Sequence, residues 1–423
     1  MTSNQTEITT PKRRWLRLLS LMLALAMVAA ACGDSGDDDA EAGATDTEES
    51  SEADGEEEAM EDEEEAMEDE EEAMEDEEGG AVIEASLAAC PNPMVFQTDW
   101  FPEPEHGALY NLTAGEGSID PESGRFTGPL AADPSIEVEI RAGGPFIGFQ
   151  PTVSLMATDD DIFMGYVNTD EAIANYADFP TTAVVAPLDV NPQIIMWDPE
   201  TYDIATWDDV RGTEAVINHF AGASYTEFLV GSGLVDEGQL DGSYDGAPTR
   251  FIAEGGNIIQ QGFATQEPFN YENVFEEWGR PVESLLIHDS GYELYQGPLA
   301  ILDSKLDDDA RSCLSAFVPI FQQSIVDFQQ DPAVTNAAIL QAVIDLDSFW
   351  QLTEDSVAST VIQMGALEIV GNGPNTTIGD FDLDRVTDVL SLTEEQVPSI
   401  AVPEGLTAED LVTNEFIDES IGL

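Results

Sequence analysis

Positive charge is scarce in this chain. Of 423 residues only 12 are Lys or Arg against 87 Asp or Glu, for a formal net charge of −75. Lys12, Arg13, Arg14 and Arg17 fall at the extreme N-terminus, which leaves Arg125, Arg141, Arg211, Arg250, Arg280, Lys305, Arg311 and Arg385 for everything beyond residue 79. That distribution excludes a nucleic-acid partner, because neutralising phosphates takes a basic patch. A large carboxylate excess with almost no lysine suits a protein working in salty water, where screening relieves the self-repulsion. It reports habitat rather than mechanism. Histidine is limited to His106, His219 and His288, and cysteine to Cys32, Cys90 and Cys313. No Cys and His stand at metal-ligand spacing, so there is no zinc signature, and neither a metal nor a cofactor is expected.

The basic residues at 12–17 precede an apolar run at 18–28 rich in Leu, Ala and Met, and small residues follow. This is the pattern of a signal peptide over residues 1–31. A run of roughly a dozen residues falls short of the ~20 that a spanning helix needs, which weighs against a transmembrane anchor. The processing region reads Val28-Ala29-Ala30-Ala31-Cys32-Gly33 and resembles a bacterial lipobox, in which the Cys becomes the lipidated first residue of the mature chain. Ordinary cleavage after Ala31 with Cys32 incidental is the alternative. From 34 to 78 the chain is almost wholly acidic and small, and Glu-Glu-Glu-Ala-Met-Glu-Asp recurs at 56–62, 63–69 and 70–76. A coiled coil needs apolar residues three and four apart, whereas Ala and Met here are adjacent and every other position is a carboxylate. The reading is a self-repelling, disordered spacer over 32–90 that holds a domain off a membrane, with a cation-binding tail as the alternative.

Residues 91–423 exceed what one hydrophobic core usually serves and point to two lobes. The expected boundaries are 91–192 with 290–423 for the first lobe and 193–289 for the second. With Cys32 lipidated, Cys90 and Cys313 are an even pair in an exported, oxidising compartment, which suggests a disulfide. Short β-rich runs at 94–100, 136–141, 162–167, 183–190, 214–220, 250–253, 261–264 and 284–287 alternate with helical patterns. The alternation predicts α/β lobes with mainly parallel sheets. Apolar residues three and four apart predict helices at 310–330, 334–347 and 355–365, a helical C-terminal section.

The most informative segment is Gln97-Thr98-Asp99-Trp100-Phe101-Pro102-Glu103-Pro104-Glu105-His106-Gly107-Ala108-Leu109-Tyr110. A strand ends in Asp-Trp, a Pro-containing loop follows and a helix starts near His106, which puts these side chains where open α/β sheets bind ligands. The segment resembles the first strand and helix of the periplasmic binding proteins that deliver the pyrimidine precursor of thiamine, with Glu103 in place of their usual Asn. Collinear with it, Ala142-Gly143-Gly144-Pro145 resembles that family's Gly-Gly-Pro loop. Trp207-Asp208-Asp209-Val210-Arg211-Gly212 resembles the turn before the second lobe, and Thr265-Gln266-Glu267-Pro268-Phe269 its acidic-Pro segment. The altered stretch Asp160-Asp161-Ile162-Phe163-Met164-Gly165 and the tail Thr413-Asn414-Glu415-Phe416-Ile417-Asp418 complete a series covering residues 94–423.

The resemblance implies a two-lobed α/β fold, the type II periplasmic binding protein fold, closing on a small-molecule solute and serving ABC permease subunits, with the membrane reached through the lipid anchor. Ligand contacts are expected from Asp99, Trp100, Glu105, His106, Gly144, Asn168, Ser224, Tyr225, Glu267 and Tyr295. Trp100, with Phe101 and Tyr295, would offer a flat face to an aromatic ring; Asp99 and Glu267 would accept hydrogen bonds from its amino groups. Ser224 and Tyr225 open a helix after the 214–220 run, where free backbone N–H groups can take an anionic or polar group. Bland readings stand beside these: a core aromatic for Trp100, a helix-start residue for His106 and a turn residue for Glu267. Rival functions are the same fold binding a sulfonate, nitrate or cationic amine, a surface adhesin or solute sensor, and a pyrimidine synthase. The last would require a Cys-rich motif that this chain lacks, so no enzyme is expected.

Overall fold

The computed structural model describes residues 85–423. The expected signal peptide, the lipidated Cys32 and the acidic repeats lie outside the described residues. The chain lays down β1 (Met94–Gln97), β2 (Ser118–Asp120), β3 (Arg125–Leu130), β4 (Asp133–Arg141), β5 (Met164–Tyr166) and β6 (Thr181–Val185). It then builds a second sheet from β7 (Gln193–Trp197), β8 (Ile217–Asn218), β9 (Leu240–Asp241), β10 (Ile259–Phe263) and β11 (Glu283–Leu286), and returns to the first with β12 (Leu299–Leu302). The strand orders are β2-β3-β4-β1-β5-β12-β6 and β11-β7-β10-β8-β9. This is a mixed α/β fold in two lobes, each with its own sheet. The chain crosses between them twice, at 186–192 and at 287–298.

The sheets are mixed rather than mainly parallel. β1 runs parallel to β4 and β5, and β8 parallel to β9 and β10, but every other pair is antiparallel. The physical reason is connection length. β2, β3 and β4 follow one another through tight turns, which can only join antiparallel neighbours, and the strands that open each crossing, β7 and β12, enter their sheets against the prevailing direction. The 250–253 run is a helix, Thr249–Ala253, not a strand. Pro248 starts it, the Arg250 to Glu254 ion pair at 2.9 Å spans one helical turn, and Phe251 is the single side chain it buries.

Burial on both faces explains why the strands read as continuous apolar runs. Met94 and Phe96 on β1 join one apolar cluster while Val95 joins the other, and on β7 Ile194 and Met196 alternate in the same way with Ile195 and Trp197. The 23-residue helix Asp308–Gln330 is capped by Asp307, whose side chain accepts the Ala310 N–H. It buries Cys313, Leu314, Phe317, Val318 and Phe321 at three-and-four spacing, and Phe317 stacks on Phe96 at 5.5 Å. Helices Ala333–Leu346, Glu354–Ala366 and Leu383–Gln396 complete the C-terminal section. A disulfide joins Cys90 to Cys313 across 223 residues of sequence, beside a hydrogen bond from the Ser86 N–H to the Ser312 carbonyl. The start of the domain is thereby fastened to its longest helix.

Candidate functional site

The loops that leave the carboxyl ends of β1, β5, β8 and β10 converge on one cleft, the place where open α/β sheets receive ligands. Its cavity measures about 230 Å³ and draws walls from both sheets. That lies below the roughly 300–1,000 Å³ of sites for drug-sized ligands, so it suits one small ring rather than two. A second cavity, about 350 Å³, surrounds Tyr295, Asp189 and the 371–383 loop. It takes its walls from the first lobe and the C-terminal section alone, and none of the expected contacts except Tyr295 reaches it. The smaller cleft is therefore the candidate site.

One wall comes from the segment after β1. The strand stops at Gln97, three residues short of the expected 94–100, and the Pro-containing loop follows. Thr98 still donates its N–H to the Arg141 carbonyl at 3.0 Å, and the Gly143 N–H bonds the Trp100 carbonyl at 2.8 Å. The Gly143-Gly144 pair is what lets Trp100 lie there. A Cβ on Gly143 would sit 2.0 Å from the Thr98 carbonyl oxygen, and one on Gly144, whose φ is +56°, would sit 2.5 Å from Trp100 Cε3. Gly144 is thus the floor under the indole rather than part of the cavity lining.

Around Trp100 stands an aromatic box. Its ring centroid lies 6.0 Å from Phe149, 5.9 Å from Phe220 and 5.8 Å from Trp350, with Phe220 another 4.8 Å from Tyr244. Phe101 packs edge-on behind it at 6.1 Å, is almost fully buried and does not line the cavity. Trp350 arrives from the connection between helices Ala333–Leu346 and Glu354–Ala366, and its Nε1 donates to the Pro102 carbonyl at 3.3 Å. Phe220 and Tyr244 belong to the second lobe, so the box forms only where the lobes meet.

The polar part of the lining is acidic. Asp99, Glu103 and Glu267 line the cavity with Asn168, Gln261, Gln266 and Gln296, and no Lys or Arg does. Asp99 accepts from His106 Nε2 at 2.8 Å and from Gln296 Nε2 at 3.3 Å. Glu103 is 3 % exposed; burial first, then the neighbouring Glu105, Asp99 and Glu267 carboxylates, drive its carboxyl well above the usual range. Glu267 accepts the Phe263 N–H at 2.7 Å, and burial pushes its pKa up to about 7. Asn168 spends its side-chain oxygen on the Gly297 N–H at 2.8 Å.

Besides Gly144, five expected contacts stand behind the cavity or apart from it. Glu105 is buried, accepting from Thr265 Oγ1 and, at 2.8 Å, from Gln266 Nε2; burial raises its pKa. These bonds join the first lobe to the second. His106 packs on Tyr166 at 4.9 Å between ring centroids. Ser224 does open a helix, Ser224–Gly231, but its hydroxyl is bonded to Asp170, a carboxylate of the chain itself. Tyr225 is buried and donates to Gln261 Oε1 at 2.9 Å. Tyr295 lies beneath Arg385, whose guanidinium sits 3.8 Å above its ring, and its hydroxyl accepts the Asp382 N–H at 2.9 Å.

The eight cations of the folded part are committed elsewhere. Arg141, close in sequence to the Gly143-Gly144 loop, pairs with Glu139 at 2.6 Å and Asp159 at 2.7 Å. Arg125, Arg211, Arg250, Arg280, Arg311 and Arg385 each hold a carboxylate as well, and Lys305 donates to the Asp160 and Ile162 carbonyls. Among the described residues no group of three or more His, Cys, Asp or Glu is placed to hold a metal ion, and no helix is long and apolar enough to cross a membrane.

No family model and no curated protein sequence matches this chain. Solved structures do. A protein of Bordetella bronchiseptica RB50 superposes with a TM-score of 0.50 at 12% identity, covering 77% of this chain and 96% of its own. The periplasmic aliphatic sulphonate binding protein of Escherichia coli gives 0.46 at 12% identity, covering 64% and 84%. An ABC transporter structure from Parabacteroides distasonis gives 0.45 at 12% identity, covering 78% and 100%. At such identities the likeness is one of fold.

Proposed function

We propose that this chain is the extracytoplasmic, lipid-anchored solute-binding component of an ABC-type importer. It binds and releases its solute without turning it over. The cleft takes a small nitrogen-bearing compound, with a single-ring thiamine pyrimidine precursor as the leading candidate. One observation carries the reading of the ligand: a cavity of about 230 Å³ at the meeting of two lobes, walled by aromatic rings and three carboxylates and containing no basic side chain. Rings give a flat apolar solute an enclosing face, and carboxylates accept hydrogen bonds from amino groups most strongly when the donor is charged. An oxyanion would meet three acidic side chains and no basic one there, since Arg141 is already neutralised by two carboxylates. That weighs against sulfonate and nitrate. A small aliphatic ammonium is the second reading, supported by the same rings, whose faces attract cations.

The test is thermal-shift screening of residues 79–423 against hydroxymethylpyrimidine, formylaminopyrimidine, thiamine, polyamines, sulfonates and nitrate. Selective binding raises the melting point by mass action. A response to hydroxymethylpyrimidine and none to sulfonate is expected; the reverse overturns the ligand, and turnover of any solute overturns the transport reading. The anchor is tested by mass spectrometry of the membrane fraction, where a diacylglyceryl group on Cys32 is expected and a free Cys32 counts against it.

A further inference from the structure

Gln266 lines the cleft, is 3 % exposed and follows β10. Its Nε2 donates to Glu105 Oε2 at 2.8 Å, which fixes how the amide is turned: the opposite orientation would set its carbonyl oxygen against a carboxylate. Glu105 is in turn held by Thr265 Oγ1. The consequence is that Gln266 Oε1 is buried with no hydrogen-bond partner. A buried acceptor left unmet costs free energy that a ligand donor restores. Asp99 and Glu267 stand beside it in the lining, together with the amides of Asn168, Gln261 and Gln296, so an N–H donor placed at Gln266 Oε1 would have carboxyl groups close by.

We propose that Gln266 is a specificity-determining residue, and that with the neighbouring Asp99 and Glu267 carboxyl groups it favours a small solute carrying at least two N–H donors, of the amidinium or aminopyrimidine kind. Glu105 is the positioning residue that turns the amide. This rests on the solute-binding reading above and narrows it. Aromatic walls alone would welcome a quaternary ammonium ion as readily as an amidinium, because cation–π attraction does not ask for an N–H. The unmet Gln266 oxygen makes the difference, since a site built to bond an N–H rejects the analogue that lacks it.

The experiment measures binding of acetamidinium, 4-aminopyrimidine, tetramethylammonium and pyrimidine to residues 79–423 by calorimetry, for the wild type, Gln266→Met and Glu105→Gln. Gln266→Met keeps the length of the side chain and removes the acceptor. The wild type should prefer acetamidinium over tetramethylammonium, and 4-aminopyrimidine over pyrimidine, by about tenfold or more, the size expected when one buried acceptor goes unmet. Gln266→Met should lose most of that preference by weakening the N–H donors, leaving tetramethylammonium within about threefold. Glu105→Gln should lose part of it. Equal affinities in the wild type, or a ratio unchanged by Gln266→Met in a variant that melts as the wild type does, overturns the proposal; the wild-type ratio decides it even if both variants fail to fold. No binding of any of the four probes overturns it too. A melting shift with sulfonate would then leave a solute-binding protein of other specificity, and no shift with any solute would remove both readings.

Discussion

Gly144 and Gly148 offer a matched pair of perturbations. Both sit in the left-handed region, at φ +56° and +69°, four residues apart in the same loop. Alanine at either position carries the backbone cost of that conformation, about 1–2 kcal/mol of folding stability. Only one of them touches the site. A Cβ on Gly148 meets nothing within 4 Å, whereas one on Gly144 lies 2.5 Å from Cε3, 3.0 Å from Cζ3 and 3.1 Å from Cδ2 of Trp100. Ordinary contact begins near 3.4 Å, so the indole must move by about 1 Å. Phe149, Phe220 and Trp350 stand 5.8 to 6.0 Å from its centroid and Gly246 of the second lobe faces its far edge, so the direction left to it is into the cavity, the space the solute would take. A displaced platform loses stacking worth about 1–3 kcal/mol for one ring. Gly144→Ala should therefore weaken hydroxymethylpyrimidine binding about 5- to 150-fold, and Gly148→Ala should leave it within twofold. Melting curves and titration calorimetry on both variants check this. Equal losses of affinity would refute the role given to Trp100, since the backbone cost alone would then account for the effect.

Trp100→Ala should reproduce that loss directly, about 1–3 kcal/mol of binding, while Tyr295→Phe, altered outside the cleft, should leave calorimetric affinity unchanged. Separating Cys90 from Cys313 by Cys313→Ser should lower stability by up to about 5 kcal/mol in the chain-entropy model for a loop of 223 residues, read by urea unfolding; a change below about 1 kcal/mol would put the stability of the junction in packing instead. The Glu267 carboxyl, raised from 4.5 to about 7 by burial, gives a pH signature. Between those values the folded chain keeps a proton that the unfolded chain has released, so unliganded stability falls as pH rises through that window. A cation in the cleft favours the ionised carboxylate, so acetamidinium affinity should rise over the same window and level off above about pH 7. Glu267→Gln should flatten both profiles, and an unaltered profile in that variant would assign the titration to Glu103.

Legibility in the sequence followed the range of the interactions involved. The helix Asp308–Gln330 was readable to within two residues because twenty-three positions repeat one three-and-four pattern against a single apolar wall. β7 was missed although Ile194-Ile195-Met196-Trp197 is as apolar as any strand. The 183–190 run continued across Pro187 and ended before Pro192, and only the crossing to a second sheet shows that β6 stops at Val185 and a new strand starts at Gln193. β4 was read as the 136–141 run, but β2 and β3 escaped because their alternation is polar on one face and the Gly and Pro residues of β3 imitate a loop.

Within the site, the strand-end rule located Asp99 and Trp100, which depend only on where β1 finishes, and the resemblance of the 265–269 segment located Glu267. Phe220, Tyr244 and Trp350 depend on three connections, distant in sequence, reaching one point, and no local pattern encodes that meeting. The Ser224 helix shows the converse. Its opening carried the local signature of an anion site, yet Asp170, 54 residues away, is bonded to the Ser224 hydroxyl. A carboxylate of the chain stands where a ligand anion was expected. The arrangement has the same logic as the cleft: in a chain with so few cations, backbone N–H groups, hydroxyls and amides become the partners of buried carboxylates, as Thr265 and Gln266 are for Glu105 and the Phe263 N–H is for Glu267. Such partners satisfy an acid without neutralising it. No basic side chain lines the cleft, and this gives a cationic solute its advantage over an anionic one of the same shape.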